Sequence, residues 1–418
     1  MTHFGFFALP ATGHINPMTT LAREVQDRGH RVTFYQVEDY AAPIEAVGLR
    51  CRIIGRDAFP MGSIPKRFEE LGQLRGLAGL KYTLTFLSQL YEMAMREAPA
   101  LLREDGVKAL VVDQAFYPVN SVGELLKLPC VNACNCLMLN EEAGIPPFNV
   151  HWKYSANVFG RLRTRVALQL MKRTLYRPLF QSINKTRGEW GLPEITRLND
   201  CFSKLAQIAQ QPREFEFPRK TLPACFHFAG PFHRTESRAP VDFPWEQLDG
   251  RPLVFASMGT IQNGKEWVFR VIAEACAGFD VQLVMSLGGN IPVESMGKLP
   301  DNTIAVRYAP QLELLKRAHL VITHAGLNTA LETLAQGVPM VAIPVTNDQP
   351  AVAARIAWTG TGVAVPLKKL TAERLRSAIA QVLRDERYRA AAQRMKASIV
   401  KTDGLRLAGD IIERCCCS

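Results

Sequence analysis

The chain has 418 residues, of which 47% are hydrophobic and 21% charged, and its formal net charge at pH 7 is +11. This length is sufficient for two domains with separate cores, and this composition is typical of a globular protein and not of a disordered one. The longest uncharged stretches, such as Thr333–Asn347, are too short to cross a bilayer, and the ten cysteines form no CxxC pair and no zinc-spaced cluster.

Strands and helices alternate in the first half of the sequence, which predicts an α/β unit built on a parallel sheet. The apolar opening, Met1–Pro10, lacks a basic segment and is predicted to be a first strand and not a signal peptide, so we expect a cytoplasmic protein. The predicted elements are strands at His3–Leu9, Arg31–Val37, Leu110–Val112 and Cys130–Ala133, and a helix at Pro17–Arg28.

Two residues that follow predicted strands are candidates for acid–base chemistry. His14 lies at the turn into the first helix, where Asn16-Pro17 is expected to set the helix start. Asp113 ends a strand, and both positions should face the crevice at the carboxyl ends of parallel strands. A neutral imidazole there can take a proton from an attacking hydroxyl, and the carboxylate can hold its second nitrogen. The alternatives are a helix-capping histidine and a turn aspartate.

The segment from His151 to Gly188 contains nine Lys or Arg residues and no Asp or Glu. Such a block can attract anionic lipid headgroups at the inner face of a membrane, or it can be a solvated basic face. Arg161, Arg165 and Lys172 share one side of a helical wheel but Arg163 does not, so the amphipathic pattern is imperfect and both interpretations stay open. No nucleic-acid-binding motif accompanies the charge, which disfavours nucleic acid as a partner.

The second half repeats the alternation of strands and helices after a stretch at 230–250 that is predicted to be an interdomain linker. The predicted strands are Leu253–Ser257, Val281–Ser286, Thr303–Arg307, Leu320–Thr323 and Met340–Ile343, and the predicted helices are Lys265–Ala277, Leu312–Ala318, Leu327–Gln336 and Thr371–Arg384. Tyr388–Arg414 is predicted to be amphipathic and helical, with an exposed cysteine tail after it. No GxGxxG loop follows the first strand, which argues against a nicotinamide or flavin enzyme.

The most informative motif runs from Tyr308 to Gln349 and provides groups suited to a nucleotide sugar. Tyr308 offers a flat face for a base, and a glycine at a helix start offers free N–H groups and a favourable dipole for phosphate. Glu332, one turn further on, is suited to ribose hydroxyls, and Asp348 with Gln349 to the hydroxyls of the sugar. No Asp-x-Asp motif accompanies them, so we predict transfer that needs no metal and no cofactor.

This layout resembles the donor signature of the family-one glycosyltransferases, which have the GT-B fold of two Rossmann-like doubly wound domains facing across a cleft. Within that family the chain is similar to the bacterial zeaxanthin glucosyltransferase-like branch, through Ser257-Met258-Gly259-Thr260 followed by Gln262-Asn263. Tyr308 stands where plant members usually have Trp, and Leu327 where a second aromatic is usual. The expected division is an acceptor-binding domain at 1–229, the linker at 230–250, a nucleotide-sugar domain at 251–387, and a helix crossing back to the first domain with the tail at 388–418.

The resemblance implies an inverting O-glucosyltransferase that moves glucose from UDP-glucose to a lipophilic hydroxylated acceptor, such as a carotenoid or a polyphenol. It implies His14 and Asp113 as catalytic residues, and a donor site formed by Thr12, Gly13, Thr260, Tyr308, Ala309, Gln311, His324, Gly326, Leu327, Asn328, Thr329, Glu332, Asp348 and Gln349. Candidates for an apolar acceptor pocket are Phe59, Phe86, Phe116 and Phe148. The alternatives are a transferase that uses another UDP or TDP sugar or a lipid-linked acceptor, and a nucleotide-sugar-binding relative without catalysis.

Overall fold

Two parallel β-sheets organise the part of the chain that the computed structural model describes, residues 1–74, 76–232, 234, 241–259, 265–289 and 291–417. The first sheet has the strand order β3-β2-β1-β4-β5-β6-β7 and the second the order β10-β9-β8-β11-β12-β13. The strands of the first are β1 His3–Phe7, β2 Arg31–Gln36, β3 Arg50–Ile53, β4 Ala109–Asp113, β5 Cys130–Cys134, β6 Ala206–Ala209 and β7 Phe226–Phe228. Those of the second are β8 Leu253–Ser257, β9 Gln282–Ser286, β10 Thr303–Val306, β11 Ala318–Thr323, β12 Met340–Ala342 and β13 Gly362–Ala364.

Helices connect these strands. In the first half they are α1 Thr12–Asp27, α2 Ala41–Ala46, α3 Ser63–Gln73, α4 Gly76–Glu104, α5 Val119–Leu126, α6 Val158–Met171 and α7 Arg177–Glu189, with a π-helical turn at Lys172–Tyr176 between α6 and α7. In the second half they are α8 Glu266–Cys276, α9 Gln311–Arg317, α10 Leu327–Ala335, α11 Gln349–Trp358, α12 Ala372–Arg384, α13 Glu386–Thr402 and α14 Gly404–Cys416. Within the ranges given above, none of the helices combines the length and the apolar character that crossing a membrane requires.

The central strands are apolar on both faces, as a parallel sheet between two helical layers requires. Every residue of β1, β4 and β8 is buried. Along β1, Phe7 belongs to the core on one face of the sheet, while Phe4 and Phe6 belong to the core on the other. The α/β class that the alternating pattern predicted is therefore confirmed, and the protein contains two doubly wound units.

The direction of the strand order changes next to β1 in the first sheet and next to β8 in the second. β1 lies between β2 and β4, and β8 lies between β9 and β11. Where successive crossovers leave on opposite faces, a crevice opens at the carboxyl ends of the strands, and α/β proteins bind their ligands there. His14 follows β1 and Asp113 ends β4, whereas Gly259 follows β8 and His324 follows β11. The candidate residues thus lie at both crevices.

The first helix begins earlier than predicted. The sequence placed its start at Pro17, but α1 begins at Thr12 and Pro17 lies inside it. A proline has no N–H, so the carbonyl of the residue four positions earlier loses its helical partner. In α1 that residue is Gly13, and its carbonyl is therefore free to accept a hydrogen bond from outside the helix.

The C-terminal segment is two helices and not one. Asp403 separates α13 from α14 with a φ of 44°, a left-handed conformation that no continuous helix contains. α14 lies against α1, where Arg28 is 2.7 Å from both Asp410 and Glu413. The prediction of an exposed cysteine tail was wrong for Cys415 and Cys416, because α14 extends to Cys416 and packs both side chains against the first core.

Candidate active site

His14 and Asp113 form a hydrogen-bonded pair at the crevice of the first sheet. Nδ1 of His14 lies 2.6 Å from Oδ2 of Asp113, whose side chain is fully buried. The carboxylate also accepts from the backbone N–H groups of Leu9 and Ala115, at 3.1 and 3.0 Å. Because a carboxylate only accepts, Nδ1 carries the proton in this pair and Nε2 of the neutral ring holds its lone pair free for another group.

The charges around His14 favour its protonated form. Burial lowers the pKa of His14, but the charge of Asp113, its hydrogen bond and the charge of Asp348 together raise this pKa above its ordinary value. Asp348 belongs to the second unit, so the carboxylates that act on His14 come from both sides of the crevice. A proton taken up at Nε2 would therefore be stabilised where it forms.

The start of α10 provides a site suited to phosphate. Gly326 is its N-cap, no side chain caps the helix, and Ala325 before it has a φ of 64°. Free N–H groups at a helix start attract anions. His324 lies between Gly259 and Gly326, and a Cβ on either glycine would overlap its Nε2. Burial lowers the pKa of His324 to about 4, partly offset by a hydrogen bond to the Ser257 backbone, so its ring is neutral at pH 7.

Asn328 joins the two units directly. Its side-chain N–H donates to the carbonyl of Gly13, the acceptor that Pro17 leaves without a helical partner. Its Oδ1 accepts from Nε2 of Gln210 at 2.6 Å. The sequence assigned Asn328 to phosphate binding. Asn328 contacts Gly13, the residue before His14. The donor-binding part and the acid–base part of the site are therefore adjacent.

The predicted base and ribose contacts also lie together. Nε2 of Gln311 is 2.5 Å from Oε2 of the buried Glu332. Tyr308 is 47% exposed, and the Arg307 guanidinium lies over its ring, 5.6 Å from the ring centre. Gly289 allows the Tyr308 hydroxyl to approach the backbone closely, since a Cβ there would lie 2.5 Å from that oxygen.

Asp348 and Gln349 have structural partners that the sequence did not indicate. Oδ2 of Asp348 accepts from the backbone N–H of Leu137 at 3.0 Å, and burial raises the pKa of Asp348 despite this hydrogen bond and the charge of His14. Oε1 of Gln349 accepts from the N–H groups of Val345 and Thr346 at 2.9 and 3.0 Å. The Gln349 oxygen therefore holds its own loop, which restricts its predicted contact with the sugar to the amide N–H₂.

Several other predicted donor residues occupy supporting positions. Thr12 starts α1 and hydrogen-bonds Tyr40, Thr329 lies in the first turn of α10, and Ala309 packs half-buried beside the second core. The Leu327 side chain belongs to that core, so only its backbone N–H is available to a phosphate. Thr260 lies outside the described residues.

A small pocket lies in the first unit, and Arg355 of α11 contributes to its lining from the second unit. Its lining combines apolar side chains with polar and charged ones: Leu137, Met138, Ile145, Phe148, Leu168 and Met171, and Asn140, Glu141, Glu142, Arg219 and Arg355. Of the four aromatic residues predicted for the acceptor, the structure brings only Phe148 to this pocket. Phe59, Phe86 and Phe116 are buried in the first core, where Phe59 and Phe86 pack edge to face with ring centroids 6.0 Å apart. These three side chains are large and apolar because they fill that core.

Sequence reasoning missed a buried ion pair between the units. Glu216 of the first unit meets Arg355 of α11, with Oε1 to Nη2 at 2.5 Å and Oε2 to Nε at 3.0 Å, and both side chains are 1% exposed. Arg219 adds a second cation, 3.4 Å from Glu216. The partners are 139 positions apart in the chain, so no local pattern could have indicated them.

Gly326→Ala is expected to weaken UDP binding by about tenfold or more, because overpacking a filled site typically costs ~1–3 kcal/mol. The new methyl group would push against His324, which has Gly259 on its other side and little space to move. Gly188→Ala is the matched control, since a Cβ in that helical position meets nothing within 4 Å. Calorimetric titration with UDP measures the effect, and equal affinities for the two variants would contradict this account of His324.

Comparisons with known proteins identify the family and the fold. A family model described as "UDP-glucoronosyl and UDP-glucosyl transferase" matches residues 110–404. A zeaxanthin glucosyltransferase of Pantoea ananas is 30% identical, over 100% of this chain and 97% of that protein. The crystal structure of the glycosyltransferase of kitacinnamycin has a TM-score of 0.79 at 22% identity, covering 99% of both chains. The glycosyltransferase VinC, solved in complex with DTDP, has a TM-score of 0.72 at 20% identity, again covering 99% of both.

Proposed function

Because this chain belongs to the UDP-glucoronosyl and UDP-glucosyl transferase family and is a glycosyltransferase of the GT-B fold, we propose that it transfers glucose from UDP-glucose to a hydroxyl of a lipophilic small molecule, with inversion. The observation that carries this proposal is the His14–Asp113 pair, 2.6 Å apart, whose neighbour Gly13 is hydrogen-bonded to Asn328 at the phosphate end of the site. An acceptor hydroxyl at Nε2 of His14 would thereby meet a donor held at the start of α10.

The proposed reaction is a single displacement. Nε2 of His14 takes the proton of the acceptor hydroxyl while its oxygen forms a bond to the anomeric carbon of glucose. The bond from that carbon to the diphosphate breaks, and UDP leaves with the electron pair. Asp113 stabilises the imidazolium, and the N–H groups of α10 with neutral His324 stabilise the charge on the leaving phosphate. Attack opposite to the leaving group converts an α-linked donor into a β-glucoside.

The donor nucleotide has a competing candidate in a TDP sugar. VinC was solved with DTDP, and stacking on Tyr308 accepts thymine as readily as uracil. UDP-glucose is favoured by the similarity to a zeaxanthin glucosyltransferase and by Glu332, whose carboxylate is suited to ribose hydroxyls. A TDP sugar lacks the 2′-hydroxyl of the ribose, so it offers Glu332 one contact fewer. The further alternatives are another UDP sugar and a lipid-linked acceptor.

The acceptor is proposed to be lipophilic because of the similarity to a zeaxanthin glucosyltransferase and because apolar side chains such as Leu137 and Phe148 line part of the pocket. Its lining also contains charged side chains such as Glu142 and Arg219, and Leu137, which lines it too, donates its backbone N–H to Asp348. One wall of the pocket is therefore next to the carboxylate that acts on His14. A hydroxylated carotenoid or polyphenol offers both apolar surface for such side chains and a hydroxyl for the transfer.

The direct test is UDP release from UDP-glucose in the presence of phenols, sterols and xanthophylls, with dTDP-glucose and UDP-galactose as competing donors. We expect release with at least one acceptor, a preference for UDP-glucose, and a β-anomeric product by NMR. A chelator should leave the rate unchanged, since we propose that helix N–H groups and side chains act in place of a metal. UDP binding without turnover on any acceptor would instead support the non-catalytic relative, and an α-glucoside would refute the single displacement.

A further inference from the structure

The outer face of α6 carries a row of exposed apolar side chains. Val158, Phe159, Leu162, Val166 and Leu170 are 77%, 82%, 55%, 61% and 61% exposed. Val158, Leu162, Val166 and Leu170 recur at every fourth position, and Phe159 lies beside them one turn from Leu162, so they form one continuous stripe on a helix. The helical-wheel positions of the basic residues did not predict this apolar stripe, because the stripe is recognisable only when the fold shows which face of α6 is exposed.

The helix that carries the stripe is anchored on its other side. Gly160, Thr164 and Met171 are buried, and the side chain of Asn157 caps the helix start through the N–H of Gly160 at 2.7 Å. Leu168 and Met171 line the pocket of the first unit. One face of α6 thus belongs to the protein interior, which fixes the direction in which the apolar stripe points.

Basic side chains border the stripe on both sides. Arg161, Arg165 and Lys172 are exposed along one edge. On the other edge Arg163 lies over Trp152, 4.4 Å from the ring centre. No acidic residue occurs anywhere between positions 151 and 188. An apolar stripe with cationic edges matches the boundary between anionic headgroups and acyl chains in a lipid bilayer.

We propose that the outer face of α6 docks the protein on an anionic lipid bilayer, with the apolar stripe entering the headgroup boundary and the flanking cations contacting lipid phosphates. A second copy of the chain is the less suitable occupant. A two-fold interface pairs each patch with itself, and it would place these cationic edges opposite one another without acidic partners. An anionic membrane supplies the missing charge.

The docked position would have a consequence for substrate access, and this step rests on the proposed function. The pocket lies directly behind the stripe, since Leu168 and Met171 on the inner side of α6 line it. The helix continues into the π-helical turn at Lys172–Tyr176, a local widening that is frequent at functional sites. Docking would therefore bring the pocket close to the bilayer, where a lipophilic acceptor is concentrated.

The test is co-sedimentation with vesicles of phosphatidylcholine alone or mixed with phosphatidylglycerol, measured without any sugar donor or acceptor. The intact protein should bind the mixed vesicles, and binding should weaken as salt rises. The variant Phe159→Ser/Val166→Ser should reduce partitioning by at least ~10-fold, because two exposed apolar side chains lose their burial in lipid. Arg161→Gln/Arg165→Gln should also weaken binding and should flatten its dependence on salt.

Matched controls come from α13, which offers exposed side chains of the same kinds. Val400→Ser and Arg394→Gln/Lys401→Gln remove comparable groups there and should leave vesicle binding unchanged. UDP affinity and the melting temperature should be the same in all variants, which would show that they are folded. The proposal is overturned by absence of binding to the mixed vesicles, by an equal loss in the α13 variants, or by a dimer in solution that the α6 variants convert to monomer. Each of these results is independent of whether the protein turns over UDP-glucose.

Discussion

Replacing His14 by alanine is expected to reduce the rate of glycosyl transfer by about 10²–10⁴-fold, the usual contribution of a positioned general base. UDP affinity should stay nearly unchanged, because the groups assigned to the diphosphate belong to α10 and the loop before it. Steady-state kinetics together with calorimetric titration of UDP separate the two effects. His30→Ala is the control, since that ring binds Glu413 of α14 at 2.9 Å and lies outside the site. A parallel loss of UDP affinity and turnover in His14→Ala would assign His14 a structural role.

The pH profile provides an independent test of the same pair. The base form of His14 is neutral, so kcat/KM should rise with pH through the pKa of His14, which its carboxylate neighbours raise above the ordinary value despite burial. Asp113→Asn removes the larger of the two favourable charges, so the rising limb should move to lower pH even as the maximal rate falls. The contribution of this pair to the stability of the fold depends on pH in the opposite direction to kcat/KM. With a raised folded-state pKa, the His14–Asp113 interaction stabilises the fold at low pH and is lost as pH rises through that pKa. A rising limb that stays in place in Asp113→Asn would refute the pairing as the cause.

The sequence was sufficient for the fold class and for the side chains that lie next to strand ends. His14 and Asp113 are 99 positions apart, yet they follow β1 and β4, and neighbouring parallel strands end at the same edge of a sheet. The same reasoning places His324 after β11. Since strand ends can be recognised from local apolar runs, residues of this kind are predictable without a structure.

Contacts that depend on the packing of one unit against the other were not predictable. The prediction that Pro17 starts α1 was wrong because proline is also tolerated within a helix when the carbonyl it deprives finds another partner, and here Asn328 supplies one. The aromatic residues assigned to the acceptor were chosen by composition, and composition does not distinguish a pocket wall from a core. Phe59 lies in the core and Phe148 at the pocket for reasons of tertiary structure alone.

Among the substitutions proposed for this chain, Arg355→Ala should cause the largest decrease in the free energy of unfolding. Arg355→Ala leaves the Glu216 carboxylate buried with Arg219 as its remaining cation, and breaking a buried pair typically costs ~3–5 kcal/mol. The double variant Glu216→Gln/Arg355→Met should recover only part of this loss, because it removes the buried carboxylate but leaves the buried Arg219 without that partner. Urea unfolding measures the free energy, with Arg387→Ala in the exposed pair with Asp385 as a control that should show no measurable change. A double variant no more stable than Arg355→Ala would refute the buried Glu216 carboxylate as a main cause of the loss.

Acid should have the same effect as the mutation. Burial raises the pKa of Glu216, but the charges of Arg355 and Arg219 outweigh it and hold this pKa at about 2. A depressed folded-state pKa means that the pair contributes its full stability above the ordinary glutamate value, near ~4.3, and loses it as pH falls toward 2. The difference in unfolding free energy between the native chain and Glu216→Gln/Arg355→Met should therefore shift in favour of the double variant below pH ~4. Because this pair connects the first unit to α11, loss of its charge should also loosen the contact between the units that keeps His14 beside the start of α10.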